Sequence, residues 1–415
     1  MLVFSPEQRF TCAECGRCCR RATVAVTLRE AESYRHARAE RWFRDSDTEP
    51  PDASIDVFEP IPEHTALLRV RKRSDGACGF LSPEGRCRIH EEMGADRKPL
   101  TCRLFPFQFH PANNDVVISA SFACPTVIAS KGATIASQKR ELQVLQTAWS
   151  REFPEAAATV ELTSGHIPPR PALPILRKTL CEMLDRGSAN GRPDLRANLR
   201  RIAALLEDLS RRRVAQLSPD RFIEYLGLVG GYAITSDKPP KTRPPTRLSR
   251  LLFRGFLLAV LSVQSGLDPI LAWRRTALRA KLLRLAAHLH GLAPGTPVFD
   301  FRRAVRVGIC LDNPELHAVV HRFLTTGFET LGTGRRPIVD EVSMLVAQLN
   351  AACVFGGMHA VLRGKHEVDV ESFSQGLLES SDLGHADAGG FFSSLLTSLS
   401  GGVEALYTFP PLRLL

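Results

Sequence analysis

No stretch of this 415-residue chain reads as a membrane crossing: the longest apolar runs, Tyr225 to Ile234 and Gly255 to Val263, reach only about ten residues, against the roughly 18 a bilayer requires. The opening MLVFSPEQRF lacks the basic and apolar regions of a secretory signal, so disulfide-driven folding is not expected and a reducing, cytoplasmic setting for the thiols is. Aromatic residues are scarce, at 7%, and none interleave the basic residues of the middle of the chain, so base stacking has no platform. No GxGxxG turn follows a strand, which removes the dinucleotide-binding reading. The nearest sequence, GLVGGY at Gly227 to Tyr232, lies in an apolar helical context and marks a close helix crossing. No internal repeat is present.

What the chain has is positive charge and sulfur. The net charge of +10 is unevenly placed: Arg170 to Gly291 carries 23 Lys and Arg against 9 Asp and Glu, a local +14, leaving −4 for the remainder. A basic middle attracts nucleic acid, an anionic membrane face or an acidic partner. A solvated Arg-rich helix surface is the plainer expectation, and nucleic-acid binding is the least favoured function.

Eight of the 11 cysteines fall in the first 124 residues, as Cys12-x2-Cys15-x2-Cys18-Cys19 followed by Cys78, Cys87, Cys102 and Cys124. Cysteines two residues apart turn their sulfurs toward one point, and soft thiolates select zinc, iron–sulfur clusters or cuprous copper. Adjacent Cys18 and Cys19, read as extended backbone, point to opposite sides, so one of them is expected to serve a second site. Eight thiols match two four-thiolate centres, or one centre with spare structural or redox thiols. CxxCxxC with the remote Cys124-Pro125 has the look of bacterial ferredoxin ligation, which favours a four-iron four-sulfur cluster. CxxC steps with scattered partners also build closed tetrahedral zinc sites, whose binding energy is folding energy.

Around these thiols, His90 and His110 are not needed as ligands. Arg103, beside Cys102, either donates to a cluster sulfur or contacts a backbone carbonyl or the surface. Cys181, Cys310 and Cys353 stand alone in helical surroundings and read as small buried hydrophobes.

The expected organisation is a strand over Thr23 to Val26, then a helix to about Phe43 opened by the capping box Thr27-Leu28-Arg29-Glu30. Further strands are expected at Ala66 to Lys72 and Asp115 to Cys124. From about Ser130 the pattern turns helical, with helices over Pro174 to Arg186, Asp194 to Leu209, Pro219 to Ile234, Leu248 to Val263, Asp268 to Leu289, Glu315 to Leu331 and Val339 to Leu362. KPPKTRPPTR, from Lys238 to Arg247, reads as an exposed linker.

The blocks Cys78-Gly-Phe-Leu-Ser-Pro-Glu-Gly-Arg-Cys87-Arg-Ile-His90, Lys98-Pro99-Leu-Thr-Cys102-Arg103-Leu-Phe105-Pro106-Phe107 and Cys124-Pro125, with the leading CxxCxxCC, closely resemble the YkgJ-type cysteine-cluster family, a zinc- or iron-chelating domain. The resemblance covers about residues 10 to 127. It implies that Cys12, Cys15, Cys18, Cys19, Cys78, Cys87, Cys102 and Cys124 are the family's cluster positions, without saying which four share a metal. The chain is also similar in length to a longer branch of that family, the flagellin lysine-N-methylases. That similarity implies, as an alternative function, methylation of protein lysines with S-adenosylmethionine, although the CxxxCxxC of radical S-adenosylmethionine enzymes is missing.

The expected fold is therefore α+β: a small metal-stapled domain over residues 1–129, then a larger, mainly helical domain over residues 130–415. The expected function is metal binding, by an iron–sulfur cluster or zinc, with the helical part serving as a platform for a protein partner or substrate.

Overall fold

In the computed structural model, the residues described are 2–5, 7–21, 23–43, 56–61, 64–112, 115–152, 160–163, 165–169, 171–187, 193–236, 307–333 and 336–381. The chain divides into two compact units, one of Met1–Phe109 with Asn113–Ala157, the other of His110–Ala112 with Ala158–Leu415. Strands and short helices make up the first and helices dominate the second, an α+β composition.

The first unit runs β1 (Leu2–Phe4), α1 (Arg17–Arg21), β2 (Ala25–Thr27), α2 (Leu28–His36), β3 (Phe58–Ile61), β4 (His64–Val70), α3 (Arg88–Met93), α4 (Leu100–Leu104), β5 (Phe107–Ala112), β6 (Asp115–Ala120), α5 (Pro125–Ile128) and α6 (Lys139–Glu152). One antiparallel sheet has the order β2-β4-β3. A second has the order β1-β6-β5, with β1 parallel to β6 and Leu2 opposite Val116.

The capping box forms as expected. The Thr27 hydroxyl accepts from the Glu30 amide at 3.2 Å and the Glu30 carboxylate accepts from the Thr27 amide at 2.9 Å, satisfying two donors at the start of α2. The helix stops at His36 rather than near Phe43, because Arg38 adopts a left-handed conformation (φ 52°) and a 3-10 turn follows over Ala39–Trp42. This break carries Phe43 into the core. There its ring packs edge-on to Phe80 and lies where a Cβ on Gly79 would sit, at 1.9 Å, so only glycine fits at 79. Val26, Ala31, Tyr34, Phe58, Val70 and Ile89 complete that core. Full burial of side chains of this size contributes about 1.5–3 kcal/mol each.

The described helices of the second unit are α7 (Ala172–Leu184), α8 (Leu195–Leu209), α9 (Arg212–Ala215), α10 (Pro219–Thr235), α11 (Pro314–Glu329), α12 (Ile338–Leu362) and α13 (Val370–Ser381), with β7 (Gly308–Ile309) paired in parallel to β8 (Glu367–Val368). Asp194 caps α8 by accepting from the Ala197 amide, and Pro219 occupies the first turn of α10 after Ser218, whose side chain makes no capping hydrogen bond. Gly230 marks a close crossing of α10 on α7, where a Cβ would stand 2.8 Å from Thr179. Gly376 of α13 approaches α12 more closely still, 2.2 Å from the Ala352 carbonyl by the same construction. The segments Leu248 to Val263 and Asp268 to Leu289, the basic proline-rich stretch and the C-terminal tail lie outside the described residues.

α12 forms over the expected span, Val339 to Leu362, with one more residue at its start, and is more apolar overall than its short runs suggest. Its 25 residues are long and apolar enough to cross a membrane by length and composition, and 72% of the most apolar window is buried within the protein. Ile338, Val342, Leu349, Ala351 and Phe355 are among its sealed side chains, the pattern of a core helix.

In the same unit, the Thr333 hydroxyl donates to the Thr330 carbonyl and accepts from His110 Nδ1–H at 3.1 Å. Burial, with a lesser contribution from the Arg177 guanidinium, lowers the His110 pKa from 6.5 to about 4. The unfolded chain therefore binds this proton first. Stability is complete above pH 6.5 and falls as the pH drops toward about 4, by at most roughly 3 kcal/mol at 1.36 kcal/mol per pH unit. Urea unfolding of the second unit between pH 7 and pH 4.5 checks this: His110→Gln should flatten the slope, and an unchanged slope would count against it.

Candidate metal centre

Each cysteine of the N-terminal region is delivered by a short element that local chemistry explains. Cys12 and Cys15 lie on the loop before α1, where Glu14 (φ 49°) and Gly16 (φ 66°) both turn left-handed. A Cβ on Gly16 would stand 2.8 Å from the Gly85 carbonyl, so the glycine lets this loop press onto the turn at Ser82–Gly85. Cys18 and Cys19 lie within α1. The Cys78 amide donates to the Cys19 carbonyl at 2.7 Å, and the bridge between Leu81 and Cys87 closes the tight turn that holds Cys78 and Cys87. Cys87 precedes α3 and Cys124 precedes α5, whose first residue is Pro125.

Three hydrogen bonds anchor the segment that carries Cys102. The Leu100 amide donates to the second Glu30 oxygen at 2.7 Å, the Thr101 hydroxyl to the Ala25 carbonyl at 2.7 Å, and the Tyr34 hydroxyl to the Arg97 carbonyl at 2.7 Å. Glu30 thus caps α2 and fixes α4 at once, tying the cysteine helix to the sheet.

The eight thiols separate by burial. Cys78 belongs to the apolar core, and Cys19, Cys87 and Cys102 pack against it. Cys12, Cys15 and Cys18 are exposed, while Cys124 is buried elsewhere, at 6% exposure. Burial pushes the Cys78 thiol up to about 12 and raises Cys102 and Cys124 above the ordinary thiol range. The Cys102 and Cys78 thiols also feel Cys87 and Cys18, whereas Cys124 feels Cys15.

The expectation that Cys18 and Cys19 diverge does not hold. α1 is helical there, and the two sulfurs are 3.9 Å apart. The hydrogen bond from Cys19 lowers the Cys18 pKa to about 6 against the effect of burial, with help from Lys98, and the same bond pushes Cys19 up.

Lys98 is the charge that sequence reading overlooked. Burial pulls its pKa down, yet Cys87, Cys102, Cys12 and Cys19 together hold it above its ordinary value. Its only signal in the sequence is its place four residues ahead of Cys102. Among the described residues, no three His, Cys, Asp or Glu side chains stand close enough together to hold an ion. His110 is engaged with Thr333 in the second unit, and His90 lies on α3.

The residues nonetheless suit a thiolate-bound metal. The donors are soft, they are gathered beside a cation, and Arg103 holds a buried Nε–H that has no hydrogen-bond partner. A buried N–H without a partner costs about 1–3 kcal/mol, and a metal-bound sulfur is an acceptor that would relieve it. Arg103→Met is therefore expected to release metal to a competing chelator roughly 10- to 100-fold more readily, the range for loss of a ligand's supporting hydrogen bond. A competition titration against a chromophoric chelator checks this; metal held as tightly as in the unaltered protein would refute it.

No curated protein and no solved structure matches the chain. The match to a family model ends at residue 125 and says nothing of lysine methylation or of the helical unit. Residues 11–125 match the model of the CxxCxxCC family, described as a "Putative zinc- or iron-chelating domain", and this part of the chain is a domain of that family.

Proposed function

We propose that the CxxCxxCC domain holds metal through thiolates of Cys12, Cys15, Cys18, Cys19, Cys78, Cys87, Cys102 and Cys124, with an iron–sulfur cluster favoured over zinc alone. The observation that carries this reading is the gathering of Cys18, Cys19, Cys78, Cys87 and Cys102 around Lys98 at the margin of an apolar core. An iron–sulfur cluster there would supply one-electron chemistry, and zinc a closed structural staple. Lys98 and Arg103 offset the negative charge of the ligating thiolates, and the Glu30, Thr101 and Tyr34 hydrogen bonds keep Cys102 in register with the core.

The helical second unit is assigned the role of a platform for a protein partner. Anaerobic purification tests the choice of metal: the reading predicts a brown protein with broad visible absorbance and inorganic sulfide. A colourless protein with stoichiometric zinc would retain the thiolate centre and remove the cluster.

A further inference from the structure

Neighbouring cysteines in extended backbone hold their sulfurs on opposite sides. The helical turn of α1 instead brings the Cys18 and Cys19 sulfurs to 3.9 Å, where one thiol hydrogen-bonds the other. Among the described residues, no other two cysteines share a hydrogen bond.

The two sulfurs differ in access. Cys18 is exposed, whereas Cys19 packs against the apolar core and its carbonyl accepts from the Cys78 amide at 2.7 Å. An exposed thiol with a second, anchored thiol behind it is the arrangement in which the first meets an oxidant and the second resolves the product. The backbone here can also give. α1 is five residues long, none of them buried, and it starts directly after the left-handed Gly16 (φ 66°).

We infer that Cys18 and Cys19 form a two-electron thiol site that reduces a hydroperoxide and closes a disulfide between neighbouring residues. The Cys18 sulfur attacks the terminal peroxide oxygen and the O–O bond breaks. Cys18 becomes a sulfenic acid, and the other oxygen leaves as water or an alcohol. The Cys19 sulfur then attacks the Cys18 sulfur: an S–S bond forms, the S–O bond breaks, and the hydroxyl departs as water with the Cys19 proton. Two thiols have lost two electrons and two protons, and one hydroperoxide has gained them. Adjacent α-carbons lie about 3.8 Å apart, short of the roughly 4.4–6.8 Å usual across a disulfide, so a small thiol readily reduces the product and resets the site. Under the thiolate-metal reading of residues 11–125, on which this last consequence rests, oxidation takes two of the eight thiolates out of ligation and releases metal.

The test treats the anaerobically purified, reduced full chain with hydrogen peroxide, caps the remaining thiols with iodoacetamide and maps the tryptic peptides. Arg17 and Arg20 bracket the pair, so trypsin releases it as Cys18-Cys19-Arg20. The expected result is an uncapped tripeptide lighter than its reduced form by two hydrogens, returned to the capped form by prior treatment with dithiothreitol. In Cys19→Ser the same dose should leave Cys18 as a sulfenic acid that dimedone traps. Metal in solution should rise in step with the oxidised tripeptide. Both cysteines still fully capped after treatment, or either one joined to a different cysteine, would overturn the inference. That result is read on the unaltered chain and does not depend on the variant folding. Oxidised tripeptide with all metal retained would overturn the release of metal. A chain that carries no metal yet closes the bond would uphold the site and overturn the metal reading alone.

Discussion

Stripping metal from the full chain is expected to unfold the first unit while α11, α12 and α13 remain folded. The stretch from Cys78 to Cys102 contains only two short helices and tight turns, and its ties to the rest of the unit include bonds to Cys19, Glu30 and Ala25. Cys78 joins the core and the half-buried Cys87 and Cys102 pack against it, so without a ligated ion this stretch keeps only a small set of apolar contacts. Metal binding in structural thiolate sites contributes about 10–16 kcal/mol, as much as the roughly 5–15 kcal/mol net stability of an ordinary domain. Limited proteolysis after verified chelation should therefore cut first within residues 10–127. An unchanged cleavage pattern would show that the apolar core stands without the ion.

Cysteine replacement is expected to divide the 11 thiols sharply. Cys12→Ser, Cys15→Ser or Cys87→Ser should each lower bound metal, because a hydroxyl is a poor substitute for a soft thiolate. Cys181→Ser, Cys310→Ser and Cys353→Ser should leave metal content unchanged. Cys353 is buried in α12, and a hydroxyl placed there is expected to cost about 1–3 kcal/mol of stability without touching the metal. Cys181 sits in α7, where burial pushes its thiol up to about 12 and favours the neutral form. Elemental analysis alongside thermal melts separates the two effects; equal metal loss from both groups would mean the site is misplaced.

Features written in a few adjacent residues were legible in the sequence. The Thr27 and Glu30 capping box, the start of α10 at Pro219 and the Gly230 crossing all express short-range chemistry, and the structure reproduces them. Pairings made over long distances were not legible. β1 joins β6 in parallel more than a hundred residues away, and nothing in Leu2–Phe4 signals it. The extent of α12 was read to within one residue, but its overall apolarity was hidden because Asp340, Ser343, Gln348 and Asn350 interrupt its apolar runs while most of its surface is still buried.

At the site, the eight thiols were visible as a spacing pattern, but their sorting was not. Tertiary packing decides which sulfurs join the core, and the helical turn at Arg17–Arg21 brings together two that extended backbone would separate. Lys98 and the unpartnered Nε–H of Arg103 became informative only once α4 was placed against α2.

Total metal per chain in anaerobically purified, full-length protein tests the central claim most directly, measured together with the number of thiols that react with an aromatic disulfide before and after chelation. Thiolate ligation predicts at least one equivalent of iron or zinc, and a rise of at least about four reactive thiols when that metal is removed. A folded, metal-free protein whose N-terminal thiols react to the same extent with and without chelator would contradict it.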